Sequence, residues 1–212
     1  MNFDKARHNM VTQQVRSWDV INKDILNAML LVQREEFVQV PQRKLAFADL
    51  ALPIGHNQSM MKPVVEGRML QALDLNPSQL VLEVGTGSAY VTALISRLVN
   101  YVHSIDIIED FTQTAKQKLK ENQIENVTCE TADFYQFNPQ QKYDRVIITG
   151  ALDEVPAAVF DWLNPDGQVF AIIGDEPIME ARMYQSAAVY TSHFDTMVGK
   201  LIKADQQPTF KL

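Results

Sequence analysis

Cysteine, long apolar runs and an apolar leader are all scarce or missing in this sequence. The one cysteine among 212 residues, Cys129, excludes an internal disulfide and a metal site built from cysteines. No stretch approaches the roughly 18 consecutive apolar residues that a membrane-spanning helix needs. The first residues also lack an apolar targeting segment. These absences predict a cytoplasmic protein that makes no contact with a membrane.

Positive charge is scarce as well. The chain has 19 Lys and Arg residues against 26 Asp and Glu residues, which leaves a net charge of −7 and a pI near 5.1. No cluster of basic residues stands out, so a nucleic-acid-binding face is not expected. A length of 212 residues with 46% hydrophobic content suits one α/β domain that carries a helical extension. No pattern in the sequence predicts a metal site.

One stretch organises what is present. Residues 80–84 form an apolar, β-branched run typical of a buried strand, and Gly85-Thr86-Gly87 follows it at once. Residues 91–98 then show the apolar spacing of a helix. The two glycines permit a sharp turn and let backbone N–H groups approach a ligand. This order of strand, Gly-x-Gly and helix predicts the first unit of a nucleotide-binding α/β fold.

An acidic residue about twenty positions later supports a nucleoside ligand. Residues 101–107 predict the next parallel strand, and Asp106 lies at its carboxyl end, where a carboxylate accepts hydrogen bonds from ribose hydroxyls. The third glycine of the dinucleotide motif is missing, because Tyr90 takes its position. S-adenosylmethionine has the same ribose and no pyrophosphate, so the pattern fits this cofactor better than NAD. The alternative is a buried strand with a tight turn and no ligand.

The rest of the chain continues the alternation of strands and helices. Residues 126–133, 143–150 and 168–174 predict further strands, and residues 155–163 predict a helix that begins near Pro156. The pattern therefore predicts an α/β fold with a mostly parallel, twisted sheet and helices on both faces. A helical cover precedes the sheet, and the tail from residue 183 predicts an antiparallel edge.

Four polar or turn positions fall at the carboxyl ends of these strands, where ligands bind in such sheets. They are Gly85, Asp106, Asp133 and Thr149.

A single domain over 1–212 is expected, with four parts: a helical extension (1–50), a substrate loop and helix (51–75), a cofactor-binding core (78–175) and C-terminal strands (176–212). The loop at 51–63 is rich in Pro, Gly and hydrogen-bonding side chains, which favours a substrate loop or a lid. His56 within it is a weak catalytic candidate and is more simply a solvated or hydrogen-bonded histidine.

Three motifs together resemble the protein-L-isoaspartate O-methyltransferase family, and the similarity extends over almost the whole chain. They are Arg-Glu-Glu-Phe-Val at 34–38, Leu-Pro-Ile-Gly-His at 52–56 with Gln58 and Pro63 after it, and Leu-Glu-Val-Gly-Thr-Gly-Ser at 82–88. The resemblance implies a Rossmann-like methyltransferase fold that binds S-adenosyl-L-methionine. It also implies an acceptor in the isoaspartyl carboxylates of damaged proteins or peptides.

The resemblance also implies a set of cofactor contacts, carried over position by position. Glu83, in the cofactor motif, and Thr149, at its strand end, complete the predicted set. The other members are Gln58, Ser59, Met60, Met61, Gly85, Thr86, Gly87, Ser88, Asp106, Ile107, Asp133 and Phe134.

Several positions depart from the family pattern. Ala89 stands where the family has the last glycine of Gly-Ser-Gly. Phe134 replaces a glycine beside Asp133, and Met61 stands where the family has the serine assigned to its active site. A thioether donates no hydrogen bond, so that role is either absent or filled from elsewhere. We hypothesise that Ser59, on the same loop, is the catalytic residue that orients the acceptor.

The implied reaction is an in-line attack of an acceptor oxygen on the cofactor's methyl group. An isoaspartyl carboxylate is ionised at neutral pH, so the enzyme mainly positions the reactants, which can supply about 7–11 kcal/mol. The alternatives are a methyltransferase for another carboxylate or a small molecule, and a cofactor-binding protein without catalysis. A short-chain nicotinamide dehydrogenase is disfavoured, since no tyrosine has lysine four residues after it.

Overall fold

A seven-stranded sheet runs through the molecule in the order β5-β4-β3-β6-β7-β8-β9. The computed structural model describes residues 1–204. The neighbours from β5 to β7 are parallel, and β8 and β9 add antiparallel strands at one edge. The strands are β1 (Leu52–Gly55), β2 (Gln58–Met60), β3 (Leu80–Val84), β4 (Tyr101–Asp106), β5 (Val127–Thr131), β6 (Tyr143–Leu152), β7 (Leu163–Asp175), β8 (Ile178–Ser186) and β9 (Val189–Thr196).

This topology confirms the predicted α/β fold with a mostly parallel sheet and an antiparallel edge. Residues 205–212 of the predicted C-terminal part lie outside the described residues. The helices are α1 (Phe3–Asn9), α2 (Lys23–Leu31), α3 (Arg34–Phe37), α4 (Pro63–Leu73), α5 (Tyr90–Ser96) and α6 (Glu109–Glu121). A π-helical turn (Met10–Val15) and short 3-10 helices connect them, among them Phe134–Gln136 and Ala157–Trp162.

The two faces of the sheet are covered unequally. Successive strand residues point to opposite faces, so Val81 belongs to one apolar cluster and Leu82 to the other. The cluster of Val81 also contains core residues of α2, α4, α5 and α6. The cluster of Leu82 is closed by side chains of short 3-10 helices, including Phe134 and Trp162. The long helices thus lie on one face, and a thinner aromatic layer covers the other.

Two segments differ in detail from the sequence predictions. The loop at 51–63 contains a two-stranded hairpin, β1 and β2. Its turn residues His56 and Asn57 both have positive φ, the geometry of a tight hairpin turn that the usual Asn-Gly signal did not mark. The segment predicted as a helix over 155–163 is a 3-10 helix, Ala157–Trp162.

Helix α2 of the N-terminal cover begins at a side-chain cap. The Asn22 side chain accepts hydrogen bonds from the backbone N–H groups of Asp24 and Ile25 and so caps α2. This arrangement satisfies two of the amides that a helix start leaves without partners.

Candidate functional site

A cleft of about 740 Å³, measured out to its open mouth, lies at the carboxyl ends of β3, β4 and β6. Three parts of the chain line it: the strand ends with the turns after them (the sheet wall), the β1–β2 hairpin (the hairpin wall) and, on a third side, the segment 198–202. Parallel sheets bind their ligands at this edge because the loops after neighbouring strands meet there. Of the predicted residues, those lining the cleft are Gln58, Ser59, Met61, Gly85, Gly87, Asp106, Ile107, Asp133, Phe134 and Thr149.

Two features require glycine at position 85, namely its backbone conformation and the nearby side chain of Thr149. Its φ is +96°, and a Cβ there would lie 2.3 Å from Thr149 Oγ1. The Thr149 hydroxyl in turn lies 2.9 Å from both Val84 O and Gly85 O, where it can donate to either carbonyl. Thr149 of β6 therefore holds the turn after β3 by hydrogen bonds, and a side chain at position 85 would clash with the Thr149 hydroxyl.

Asp106 holds the glycine loop to the end of β4. Its Oδ2 accepts from Gly87 N at 3.0 Å, and its Oδ1 accepts from Ile108 N at 2.9 Å. Burial raises the pKa of Asp106, while the backbone N–H groups of Gly87, Ile108 and Ile107 oppose that rise. Each carboxylate oxygen keeps acceptor capacity beyond one backbone bond. Asp106 can therefore both shape the loop and accept hydrogen bonds from a diol in the cleft.

Asp133 and Phe134 form the far end of the sheet wall. Asp133 accepts from Tyr135 N at 3.1 Å and from Lys203 Nζ at 2.6 Å. The buried Phe134 ring meets Trp162 edge-on, with centroids 5.8 Å apart. This end of the cleft offers an aromatic surface beside a hydrogen-bonding carboxylate, a combination suited to a purine base.

Glu83 lies behind the cleft rather than in its wall. It is fully buried, and its Oε2 accepts from Thr92 Oγ1 and from Ser104 Oγ. Ser104 Oγ also lies 2.6 Å from Thr86 Oγ1 in the glycine loop. Burial raises the pKa of Glu83 to about 7, with the hydroxyls of Ser104 and Thr92 opposing. The side chain supports the loop from below.

A smaller cavity of about 340 Å³, again measured to its mouth, opens between the hairpin and the glycine loop. It shares Ser59, Met61, Gly85, Gly87 and Thr149 with the cleft. The predicted residues Met60, Thr86 and Ser88 line this cavity and not the larger cleft, and so does Glu66.

The hairpin wall is anchored by a buried arginine, Arg34, which lies in the segment predicted from the sequence as a helical cover. Arg34 is fully buried, pairs with Glu66, and donates to Met61 O at 2.7 Å and to Ala46 O at 2.9 Å. The main chain of Met61, at the family's serine position, is therefore fixed by Arg34. Its neighbours Gln33 and Glu35 are both polar, so hydropathy along the chain does not mark Arg34 as buried.

A second buried pair lies beside the first. Arg7, on α1, pairs with Glu35, on α3, and both side chains are almost completely buried. The Arg-Glu-Glu-Phe-Val motif thus supplies one member of each pair. Phe37 from the same motif packs against Tyr90, with ring centroids 5.7 Å apart.

The segment 198–202 also belongs to the site, although the sequence did not predict it there. It returns from β9 and follows β6, where Ala151 N donates to Gly199 O and Leu201 N donates to Ala151 O, each at 2.9 Å. A Cβ at Gly150 would lie 2.8 Å from the Leu201 backbone. No motif in the sequence marks this contact, since it depends on the path of the antiparallel strands.

His56 lies outside the cleft at the tip of the hairpin. Its Nε2 is 3.0 Å from Asp110 Oδ2, and both side chains are exposed. This placement agrees with a hydrogen-bonded loop histidine. Within residues 1–204, no set of three or more potential metal-ligating side chains is grouped closely enough to bind an ion. The same residues form no helix with the length and apolar character of a membrane span.

These features fit S-adenosylmethionine. A glycine turn that tolerates no Cβ, a carboxylate at the end of the next strand and an aromatic end at Phe134 lie along one cleft, while Tyr90 takes the place of the third glycine of the dinucleotide motif. Fold and site together define the class of S-adenosylmethionine-dependent methyltransferases.

The comparisons with known proteins give the family. The family model described as protein-L-isoaspartate(D-aspartate) O-methyltransferase (PCMT) matches residues 5–198, so the chain belongs to this family. A protein-L-isoaspartate O-methyltransferase of Klebsiella pneumoniae is 34% identical over 171 residues, which are 80% of this chain and 82% of the relative. One from Petrotoga mobilis is 35% identical over 176 residues, 82% of this chain and 83% of the relative.

Solved structures show the same fold. A crystal structure described as a protein-L-isoaspartate O-methyltransferase from Plasmodium falciparum, in complex with S-adenosyl-L-homocysteine, matches with a TM-score of 0.81 at 19% identity. The match covers 93% of this chain and 98% of that one. A second structure, titled protein-L-isoaspartate O-methyltransferase, matches with a TM-score of 0.78 at 22% identity over 91% of this chain and 65% of that one.

Proposed function

We propose that this protein transfers a methyl group from S-adenosyl-L-methionine to L-isoaspartyl carboxylates in damaged proteins or peptides. One observation carries the proposal: the glycine loop, Asp106 and the hairpin residues Ser59 and Met61 line a single cleft. A cofactor on the sheet wall and an acceptor against the hairpin wall would therefore meet inside it. Membership of the family supports both the reaction and the acceptor.

The proposed division of labour follows from the two walls. Asp106 would accept hydrogen bonds from the ribose, Phe134 and Asp133 would receive the base, and Gly85 would leave room for the sulfur-bearing chain. When bound, the cofactor supplies an activated methyl group. An isoaspartyl carboxylate is already ionised at neutral pH, so no general base is needed. The residues of the cleft bind, orient and exclude water, and such positioning can supply about 7–11 kcal/mol.

Ser59 is the residue that we propose orients the acceptor. It is exposed on β2 and lines both cavities. Met61 also lines both, but its side chain offers no donor, and its backbone carbonyl is already bound by Arg34. A hydroxyl at Ser59 can donate to an acceptor carboxylate lying along the hairpin.

Transfer of labelled methyl groups to an isoaspartyl peptide, run beside its aspartyl twin, tests the proposal. We expect label on the isoaspartyl peptide alone, because the cleft must discriminate the position of the carboxylate. Asp106→Ala should reduce this transfer through weaker cofactor binding. Tight cofactor binding with no label on either peptide would contradict isoaspartyl methylation.

Met61 favours one second candidate, a methyltransferase of the same fold that acts on another carboxylate or on a small molecule. The family's serine is absent at this position, so the acceptor wall differs where the acceptor would lie. Transfer to a small acceptor but to neither peptide would support this candidate. Binding without any transfer would support a non-catalytic role.

A cytoplasmic location, a lack of nucleic-acid partners and the single-domain boundaries stay predictions.

A further inference from the structure

The smaller cavity contains a buried carboxylate that the proposed reaction does not yet use. Glu66 lies on α4, is fully buried and lines this cavity with Gly85, Thr86 and Thr149. Its Oε2 is bound by Arg34. Its Oε1 has no hydrogen-bond partner among residues 1–204. A buried carboxylate oxygen without a partner is costly, so a ligand that donates to it would relieve that cost.

The charge of Glu66 is also incompletely compensated. Burial raises the pKa of this carboxyl to about 8, even though the Arg34 guanidinium beside it acts in the opposite direction. The desolvation of the carboxylate therefore outweighs the attraction of the Arg34 guanidinium. A second cation in the cavity would favour the ionised form.

The position of the cavity beside the cleft indicates which cationic group of a ligand would reach Glu66. Gly85, Gly87 and Thr149 line both the cleft and the cavity, so the two spaces adjoin over the glycine turn. Asp106 lines only the cleft and Glu66 lines only the cavity. A cofactor whose ribose lies at Asp106 and whose chain crosses Gly85 would thus direct its amino-acid end towards Glu66.

We propose that Glu66, held in place by Arg34, accepts a hydrogen bond from the α-ammonium group of S-adenosylmethionine and so determines specificity for the amino-acid end of the cofactor. This inference rests on the proposed function. It assigns one carboxylate oxygen to Arg34 and the other to the ligand. A charge-assisted hydrogen bond of this kind is stronger than a neutral one.

Calorimetric titration with three related ligands tests the assignment without relying on methyl transfer. The ligands are S-adenosylhomocysteine, its analogue without the α-amino group, and 5′-methylthioadenosine, which lacks the whole amino-acid end. Glu66→Gln keeps the shape and an oxygen for Arg34 but removes the charge. We expect it to weaken S-adenosylhomocysteine binding by about 10- to 100-fold and to leave the other two ligands nearly unchanged.

Glu35→Gln is the matched control, because it alters the neighbouring buried Arg–Glu pair and Glu35 lines neither cavity. It should leave the ratio of the three affinities as in the wild type. Should Glu66→Gln fail to fold, the wild type still keeps the inference falsifiable, because equal affinity for the ligands with and without the α-amino group would overturn it. There, removal of the ligand's amino group should cost about 10- to 100-fold in affinity.

Several outcomes would overturn the inference. Equal weakening of all three ligands in Glu66→Gln would show that Glu66 only supports the hairpin. An unchanged affinity for S-adenosylhomocysteine would place the ammonium elsewhere. In either case the wild type still binds the cofactor product, and the proposed function stands. A wild type that binds none of the three ligands would instead refute the proposed function itself.

Discussion

The two walls of the cleft are held by different means. In the sheet wall, the glycine loop is fixed mainly by hydrogen bonds from neighbouring strand ends, as Gly87 N donates to Asp106 and Thr149 grips Gly85. In the hairpin wall, the chain just after β2 is anchored by a buried ion pair, since Arg34 donates to the carbonyl of Met61 and pairs with Glu66. The sheet wall therefore follows from a recognisable motif, whereas the hairpin wall depends on two buried residues that are far apart in the sequence.

The largest expected effect tests the anchor of the hairpin wall. Arg34→Met leaves the Glu66 carboxylate buried without its cation, which typically costs about 3–5 kcal/mol in the free energy of unfolding. Urea denaturation measures this loss. The double variant Arg34→Met/Glu66→Leu should recover most of it, because neither charge of this pair remains. A double variant no more stable than Arg34→Met would show that the pair is not the anchor.

The sheet wall is tested next by Gly85→Ala. The added Cβ would lie 2.3 Å from Thr149 Oγ1 at a φ of +96°, so we expect a loss of about 2–4 kcal/mol in the free energy of unfolding. Gly199→Ala is the control, since nothing lies within 4 Å of a Cβ there. Equal losses of unfolding free energy in the two variants would argue against close packing of Thr149 on Gly85.

The raised pKa of Glu83, which supports the sheet wall, predicts that the free energy of unfolding depends on pH. Burial raises the pKa of its carboxyl to about 7 in the folded protein, from an ordinary 4.5. The folded state thus binds more protons than the unfolded state between these values, so the free energy of unfolding falls as the pH rises through this window.

Urea titrations of the wild type and Glu83→Gln measure this effect. Between about pH 5 and about pH 8, the wild type should lose roughly 2–3 kcal/mol relative to the variant. The comparison removes contributions from other groups, such as Glu66. Parallel pH profiles for the two proteins would show that Glu83 does not titrate with a raised pKa.

Asp106→Ala separates the walls by ligand binding. Loss of the carboxylate removes both its ribose acceptor and the partner of Gly87 N, so cofactor affinity should fall by about 1–3 kcal/mol. Calorimetric titration with S-adenosylhomocysteine measures it. Asp110→Ala is the control, because that exposed acid pairs with His56 outside the cleft. An unchanged dissociation constant in Asp106→Ala would place the ribose elsewhere.

Ser59→Ala should give the smallest effect, and on turnover alone. Loss of one hydrogen bond worth about 0.5–1.5 kcal/mol should lower kcat on the isoaspartyl peptide by roughly 3- to 10-fold, while cofactor affinity stays as in the wild type. Met61→Ser, which returns a hydroxyl to the hairpin, is the companion variant and should raise turnover. If Ser59→Ala turns over as fast as the wild type, another group orients the acceptor.

The sequence was informative wherever the relevant contacts are local or periodic. The strand before Gly85, the acid at the end of the next strand and the cap at Asn22 follow from hydrophobic spacing and turn chemistry within a few residues. The parallel order of the strands follows from their alternation with helices. The placement of Asp106 and Thr149 at one edge was therefore predictable without coordinates.

Only the tertiary structure decided which buried polar groups support the walls of the cleft and what forms its third side. Arg34 and Glu66 are 32 positions apart, and neither carries a periodic signal that identifies its partner. The sequence placed Glu83 among the cofactor contacts, and the structure instead places it behind the loop. The segment 198–202 reaches the cleft because β8 and β9 return the chain to β6. Local spacing determines which residues form a strand end, whereas long-range packing determines which distant groups meet there.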